Sequence, residues 1–492
     1  MTSVSTKFSG RRVLWGAWLV APFCVACSEP MTRPPIDNSF DSAGTNSKGG
    51  VGGCEAELAG ASTDCSGGAS TGWRAGRGGN VGSAGGITPD TSGAAGTSSD
   101  AAGAAGASGT AGAVGTSGGA DGGAGGAPTP QFVPAPHQPY PLVTHHGGPV
   151  IENIDLVSVY FGDDPLRDDL ERFNAWIVAS NYWTEAGAQY GVHAGTHRGP
   201  VQFQSALPSP IYDTQIASWI AARVADGSLP KPSVNTVFAL FFQAETLILA
   251  GPSAAPSCGD FAGIHQSSAM ANPVFTGKVP FVVIPRCSFS PGDELMITTN
   301  AASHELFEAA TDPLSSSNPA WQLDAQDGTP LEAWQMLGGI ELSDLCESHY
   351  YDEIEGFTVQ HLWSIEAAQA DNNPCQPSDP KLPFFSVSAD ATIYHAQPGT
   401  TLTVHARAWS NHPTSDWELG INWGYVPWGN FDGHATLSQT IVNNGDEITA
   451  TVTIPANPPI VDGRSAYRFT IDSIDPINPN FANPWPFLIL VP

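Results

Sequence analysis

Ser303-His304-Glu305-Leu306-Phe307-Glu308-Ala309-Ala310-Thr311-Asp312-Pro313 reads as the closing turns of a helix, because nothing before Pro313 breaks a 3.6-residue period and proline cannot continue the ladder. Upstream, Pro291-Gly292-Asp293 supplies a turn and an N-cap candidate, so the helix spans roughly Glu294 to Thr311. Leu295, Met296, Ala302, Leu306, Phe307 and Ala310 can pack against a sheet, while Asn300, His304 and Glu308 recur every fourth residue on a polar stripe. A polar stripe on a mostly apolar helix calls for a chemical reason.

Metal chemistry supplies one. His304 and Glu308 stand one turn apart on one face, with Glu305 beside them, the layout a metal-dependent hydrolase uses. A catalytic zinc takes three protein ligands and keeps a position for water, from which Glu305 would take a proton as general base. Glu341, in Gly339-Ile340-Glu341-Leu342-Ser343-Asp344, is the expected third ligand. One helical turn on, Asp344 is expected to accept a hydrogen bond from the far ring nitrogen of His304. Two further histidines are candidates: His265 as an oxyanion donor or extra ligand, and His349, between Ser348 and Tyr350, as a catalytic stabiliser of a tetrahedral intermediate. The pair His145-His146 is left out, since neighbours on a strand face opposite ways. Zinc is the first expectation for the ion, with calcium or another divalent cation as alternatives. The non-catalytic reading is a structural acidic cluster, with or without metal.

Around this helix, residues 133–377 alternate strand and helix signals. Ile154 to Phe161 is a strand, Leu166 to Ser180 a helix, Thr214 to Ala225 another, and Thr236 to Gln243 a strand apolar enough to be buried on both faces. Phe281 to Ile284 is a short strand leading into the motif helix, which gives an α/β domain. Residues 382–492 change period. Phe385 to Ala389, Thr401 to Trp409, Thr436 to Val442, Glu447 to Ile454, Tyr467 to Ile471 and Phe487 to Val491 alternate as strands, with Asn443-Asn444-Gly445-Asp446 as a hairpin turn. An immunoglobulin-like β-sandwich follows, whose Trp409, Trp417, Trp423, Tyr425 and Trp428 are candidates for stacking on a polysaccharide.

The N-terminal quarter builds no core. Lys7, Arg11 and Arg12 precede the apolar run Val13 to Ala26, too short for a membrane span, so residues 1–27 read as an export signal. Its end, Cys24-Val25-Ala26-Cys27, resembles a bacterial lipobox, with Cys24 where that pattern has Leu and Cys27 as the lipidation site. Residues 28–132 form a Gly/Ala/Ser-rich disordered tether: 28 of the 54 glycines lie between Asp41 and Pro130. The expected location is therefore a bacterial outer membrane or cell surface, reached by lipid anchor alone, or free secretion.

Cysteine usage agrees with export. Cys54 with Cys65 is the simplest pairing in the tether; Cys258 with Cys287 and Cys346 with Cys375 are the local pairings of the folded part, among three possible connectivities. From Gln131 onward, 11 Lys and Arg face 38 Asp and Glu, a formal charge of −27 that repels nucleic acid. Within residues 133–492 no G-x-S-x-G elbow or phosphate-binding glycine loop supports a serine hydrolase or nucleotide enzyme.

His304-Glu305-x-x-Glu308 followed by Glu341-x-Ser343-Asp344 resembles the gluzincin branch of the zincin metallopeptidases. That resemblance covers about fifty residues and implies a zincin-like α/β domain, with Glu341 as third ligand and Asp344 behind the ligands. Glu308 stands where the family has histidine, and a second carboxylate suits harder ions. A second, more diffuse resemblance spans Pro141 to Cys346. His146-Gly147-Gly148-Pro149-Val150, Asn181-Tyr182-Trp183, Gln189-Tyr190-Gly191-Val192, Gly263-Ile264-His265, Val282-Val283-Ile284-Pro285 and Asp344-Leu345-Cys346 follow an order similar to the phosphate-induced (EXORDIUM-like) secreted proteins. It implies a secreted wall-interaction or adhesion protein with no mechanism. The leading expectation is a monomeric, exported, peptidase-like hydrolase acting on extracellular protein or peptide.

Overall fold

Alternation in Asn153–Phe161 (β1) decides the central sheet. Ile154, Leu156 and Tyr160 face one apolar cluster and Val157, Val159 and Phe161 face another, so the strand is covered on both sides. The computed structural model describes residues 131–271, 276–347, 351–378, 381–426, 433–458, 460, 465–474 and 482–492. His193–Phe203 (β2), Thr236–Phe241 (β3), Ile264–Ala271 (β4) and Thr276–Ile284 (β5) complete a five-stranded sheet in the order β2-β1-β3-β5-β4. The first four are parallel, and β4 runs antiparallel to β5 at the edge.

Helices close both faces. Arg167–Ile177 (α1) buries Leu170, Phe173 and Ile177 on one side, where Glu294–Thr311 (α3) also packs. Asp213–Asp226 (α2) buries Ile216, Ile220 and Val224 on the other. A buried ion pair, Arg286 to Asp164 at 2.7 Å, fastens the end of β5 to the start of α1. Helix α3 has its expected ends, but Asp293 does not cap it: its carboxylate accepts instead from Ser288 Oγ and from the backbone N–H groups of Phe289 and Ser290. Every residue from Ile297 to Thr311 is buried, so the polar stripe lies inside the protein. In the hairpin Tyr351–Ile354 (β6) and Phe357–Gln360 (β7), the second strand packs against α3.

Strand outweighs helix in the molecule, and the C-terminal part is a β-sandwich. One sheet orders Phe385–Ala389 (β8), Thr401–Ser410 (β10), Glu447–Thr453 (β14) and His434–Leu437 (β12). The other orders Ile393–His395 (β9), Ala482–Val491 (β16), Ser465–Ile474 (β15), Trp417–Val426 (β11) and Ile441–Val442 (β13). Ile448, Ala450 and Val452 point inward from β14 toward Trp485, Phe487 and Ile489 of β16, the period-2 pattern the sequence shows. The turn Asn443 to Asp446 is not a hairpin: β13 pairs with β11 and β14 with β10, so it crosses between sheets. Trp409 and Trp417 are 0 % and 1 % exposed, which removes them as sugar platforms. The side chains of Trp423 and Tyr425, and Trp428 altogether, lie outside the described residues.

Disulfides join Cys258 to Cys287 and Cys346 to Cys375, as pairing of neighbours predicts, and point to an oxidising compartment outside the cytosol. Cys27, Cys54 and Cys65 lie outside the described residues, as do the signal and the tether. Among the described residues no helix is long and apolar enough to cross a membrane.

Candidate metal centre

His304 Nδ1 lies 3.0 Å from Gln360 Oε1, and that contact fixes the chemistry of the ring. Gln360 Nε2 donates to the Ser343 carbonyl at 2.7 Å, so Oε1 is the acceptor and Nδ1 carries the hydrogen. Nε2 therefore presents its lone pair inward, toward Glu308 Oε1 at 3.1 Å and Asp344 Oδ1 at 3.6 Å. A lone pair facing two carboxylates is untenable unless a proton or a cation lies between them. The orienting role expected of Asp344 thus belongs to Gln360, whose backbone N–H donates to Ser303 Oγ at 2.9 Å.

Strand register brings in His265. It pairs directly with Val282 across β4 and β5, and directly opposed residues share a face, here the one α3 covers. Its Nδ1 stands 3.4 Å from Glu305 Oε2 and 3.3 Å from Glu308 Oε2, while its Nε2 stands 3.4 Å from Glu341 Oε1. The geometry makes none of these a hydrogen bond: both His265 nitrogens, His304 Nε2, Glu308 Oε1 and Glu341 Oε1 are buried without a partner.

Glycines let the acids in. A Cβ on Gly263 would sit 2.6 Å from Glu305 Cγ, so the edge strand approaches the motif helix as closely as backbone permits. Gly339 is likewise pressed against the Asp344 carboxylate. Glu341 and Asp344 do not share a short helix as expected; Glu341 lies in a loop, and Asp344 opens the 3-10 turn Asp344–Cys346. Their relative placement comes from the Glu341 N–H donating to Asp344 Oδ2 at 3.0 Å, and from Ser343 Oγ donating to the His304 carbonyl at 3.2 Å.

Electrostatics follow from burial. Desolvation disfavours charge on His265 and His304, yet the surrounding carboxylates outweigh it and raise both imidazoles well above their ordinary value. Burial likewise raises Glu341 strongly and Glu305 less, whereas Glu308, between two histidines, is held below the usual carboxylate range despite its burial. Two acids not singled out in the sequence belong to the same field: Glu347, pushed up by burial to about 8, and Asp312, to about 6. Glu347 follows Asp344 at helical spacing, a signal open to use; Gln360, a lone amide ending a short strand, gave none.

Five predicted residues therefore meet: His304, Glu305, Glu308, Glu341 and Asp344, with His265 as a sixth. His349 lies outside the described residues. His145 and His146 are elsewhere, against Trp321 and Asp324. The donor atoms of His265, Glu305 and Glu308, and those of His304, Glu308 and Asp344, lie within 4.8 Å of one another in each set. Buried His, Glu and Asp groups with unpaired atoms fit a metal ion.

No family model matches the chain, and no curated protein does. Solved structures that match include domains 4 and 5 of the S-layer protein SbsC, at 14% identity over 22% of this chain and 53% of that chain, TM-score 0.16. The periplasmic chaperone SfaE matches at 14% identity over 22% and 56%, TM-score 0.18. The E. coli chaperone DraB matches at 11% over 22% and 54%, TM-score 0.18. The chain spans about half the length of these structures, and at such TM-scores the likeness carries no argument about function.

Proposed function

We propose that the protein is an exported metal-dependent hydrolase, peptidase-like and similar to the gluzincins, with an immunoglobulin-like sandwich attached. The observation that carries this reading is the convergence of five buried, unpartnered donor atoms from His265, His304, Glu308 and Glu341. A divalent ion bound among them supplies Lewis acidity toward a scissile carbonyl. His304 and Glu308 hold it from one helix turn, and Glu341 closes from the facing loop. Glu305 is the proton acceptor: Gly263 holds its chain in place, and burial raises its carboxyl toward the range a base needs near neutral pH. Extracellular protein or peptide is the substrate class, with zinc the first ion to test; lipid anchorage at Cys27 and a monomeric state belong to the same reading.

One observation favours a second reading. His265, His304, Glu305, Glu308 and Glu341 are each no more than 4 % exposed, as in a structural centre that braces a secreted, EXORDIUM-like adhesion protein. The two separate on metal analysis of the purified full chain, together with a broad protease assay on wild type, Glu305→Gln and His304→Ala. Hydrolysis that Glu305→Gln abolishes while metal content stays supports the enzyme. Metal without hydrolysis supports the brace, and a chain that binds no metal sinks both metal roles.

A further inference from the structure

Glu308 faces two histidines with two different oxygens, Oε1 toward His304 and Oε2 toward His265. We propose that the centre holds two divalent cations bridged by the Glu308 carboxylate: one among His265 Nδ1, Glu305 Oε2 and Glu308 Oε2, the other among His304 Nε2, Glu308 Oε1 and Asp344 Oδ1. This rests on the metal-centre reading above and changes its ligand set, with Asp344 in place of Glu341 beside His304 and Glu308, and Glu305 a ligand of the second ion.

Two geometric features converge on it. The six donors divide into two triplets that share only Glu308, each with its atoms within 4.8 Å of one another. The His304 ring also has a group behind the nitrogen that faces away from the proposed ion: Nδ1 meets Gln360 Oε1 at 3.0 Å, the arrangement that orients imidazole ligands, while His265 Nδ1 is buried without a partner and faces the other triplet. Glu341, the expected third ligand, then stands beside His265 Nε2 at 3.4 Å and belongs to neither triplet.

A donor set with one imidazole and two carboxylates per position suits manganese or ferrous iron as well as zinc. Glu305 need not give up proton transfer: Oε2 faces His265, and Oε1 lies on the Gly263 side.

The test uses the full chain, stripped with chelator and titrated with manganese(II), read by calorimetric stoichiometry and by electron paramagnetic resonance. Two ions per chain with an exchange-coupled spectrum are expected. His265→Ala should leave one ion with an uncoupled six-line spectrum, and Asp344→Asn should do the same at the other position, which keeps the test decisive if one variant fails to fold. One ion in wild type, unchanged in His265→Ala, overturns the pair but leaves the single-ion centre. No bound ion overturns both.

Discussion

Gln360 touches three partners at once, and its loss separates structural from metal effects. Gln360→Leu keeps the volume and the backbone N–H bond to Ser303 Oγ, but leaves the Ser343 carbonyl and His304 Nδ1 to their remaining contacts. The expected cost is about 1–3 kcal/mol of stability from the buried groups left unpaired. Metal affinity should fall about 10–100-fold as His304 loses its tautomer lock. Denaturant unfolding of the metal-free chain and titration calorimetry measure the two, and unchanged affinity would refute the locking role. Glu347 gives a pH signature. Burial, against the pull of His304 and with the repulsion of Asp344, Glu308 and Glu305, pushes its carboxyl up to about 8. An unfolded Glu titrates near about 4.3, so between these values the native state keeps a proton that the unfolded state has lost. The stabilisation is full below about 4.3 and is lost as pH rises to about 8, at about 1.4 kcal/mol per pH unit across that window. In the metal-free protein, Glu347→Gln should flatten this part of the stability profile; parallel profiles for the two chains would count against it.

At the scale of elements, what the sequence made legible was periodic. Helix α3 matches its expected limits because Pro313 and the Pro291-Gly292-Asp293 turn bound an unbroken 3.6 pattern. Strands β1, β3 and β8 match because β-branched and aromatic residues run together in β1 and β3 and alternate with serine in β8. Strand β2 was invisible, since Gly195, Gly199 and Pro200 break any strand pattern; it exists because β1 pairs with it, and Gly195 lies so close to Ile154 that no Cβ fits. The site shows the same division. His304, Glu305 and Glu308 come from one helix and were readable by spacing, whereas His265 depends on β4 register and Gln360 on a hairpin folding back, both long-range. The Cys258–Cys287 bond holds the turn before β4 to the loop before α3, two elements that carry opposing donors. Replacing both cysteines by serine opens a link across 29 residues, expected to cost about 3–4 kcal/mol. Because β4 is then freer against α3, metal affinity should fall as well; unchanged affinity in a folded double variant would show that the sheet alone positions His265.

For the whole molecule, the sequence suggests separate bodies at 133–377 and 382–492, but the packing joins them. One apolar cluster runs from α1 and α3 into both sheets of the sandwich. At its junction Tyr140, from the arm that follows the tether, meets Trp334 and Trp363 edge-on and also contacts Phe384, Trp409 and Trp485. Trp334 lies edge-on to Trp485 of β16 at 5.2 Å, and Arg468 of β15 donates to the Met336 carbonyl. The arm is itself clasped: His137 stacks on Trp409 at 3.7 Å, and Asn444 binds the backbone of Val133 and Ala135. Unfolding either part alone would expose this aromatic junction, so the two should melt together, with calorimetric and van't Hoff enthalpies equal for the full chain. Tyr140→Ala removes the ring at the centre and should cost about 3–5 kcal/mol, lowering the single transition rather than splitting it. Differential scanning calorimetry with intrinsic tryptophan fluorescence follows both parts at once. Two resolved transitions in wild type would show that the sandwich is independent of the metal-bearing part, and that the junction is contact without cooperativity.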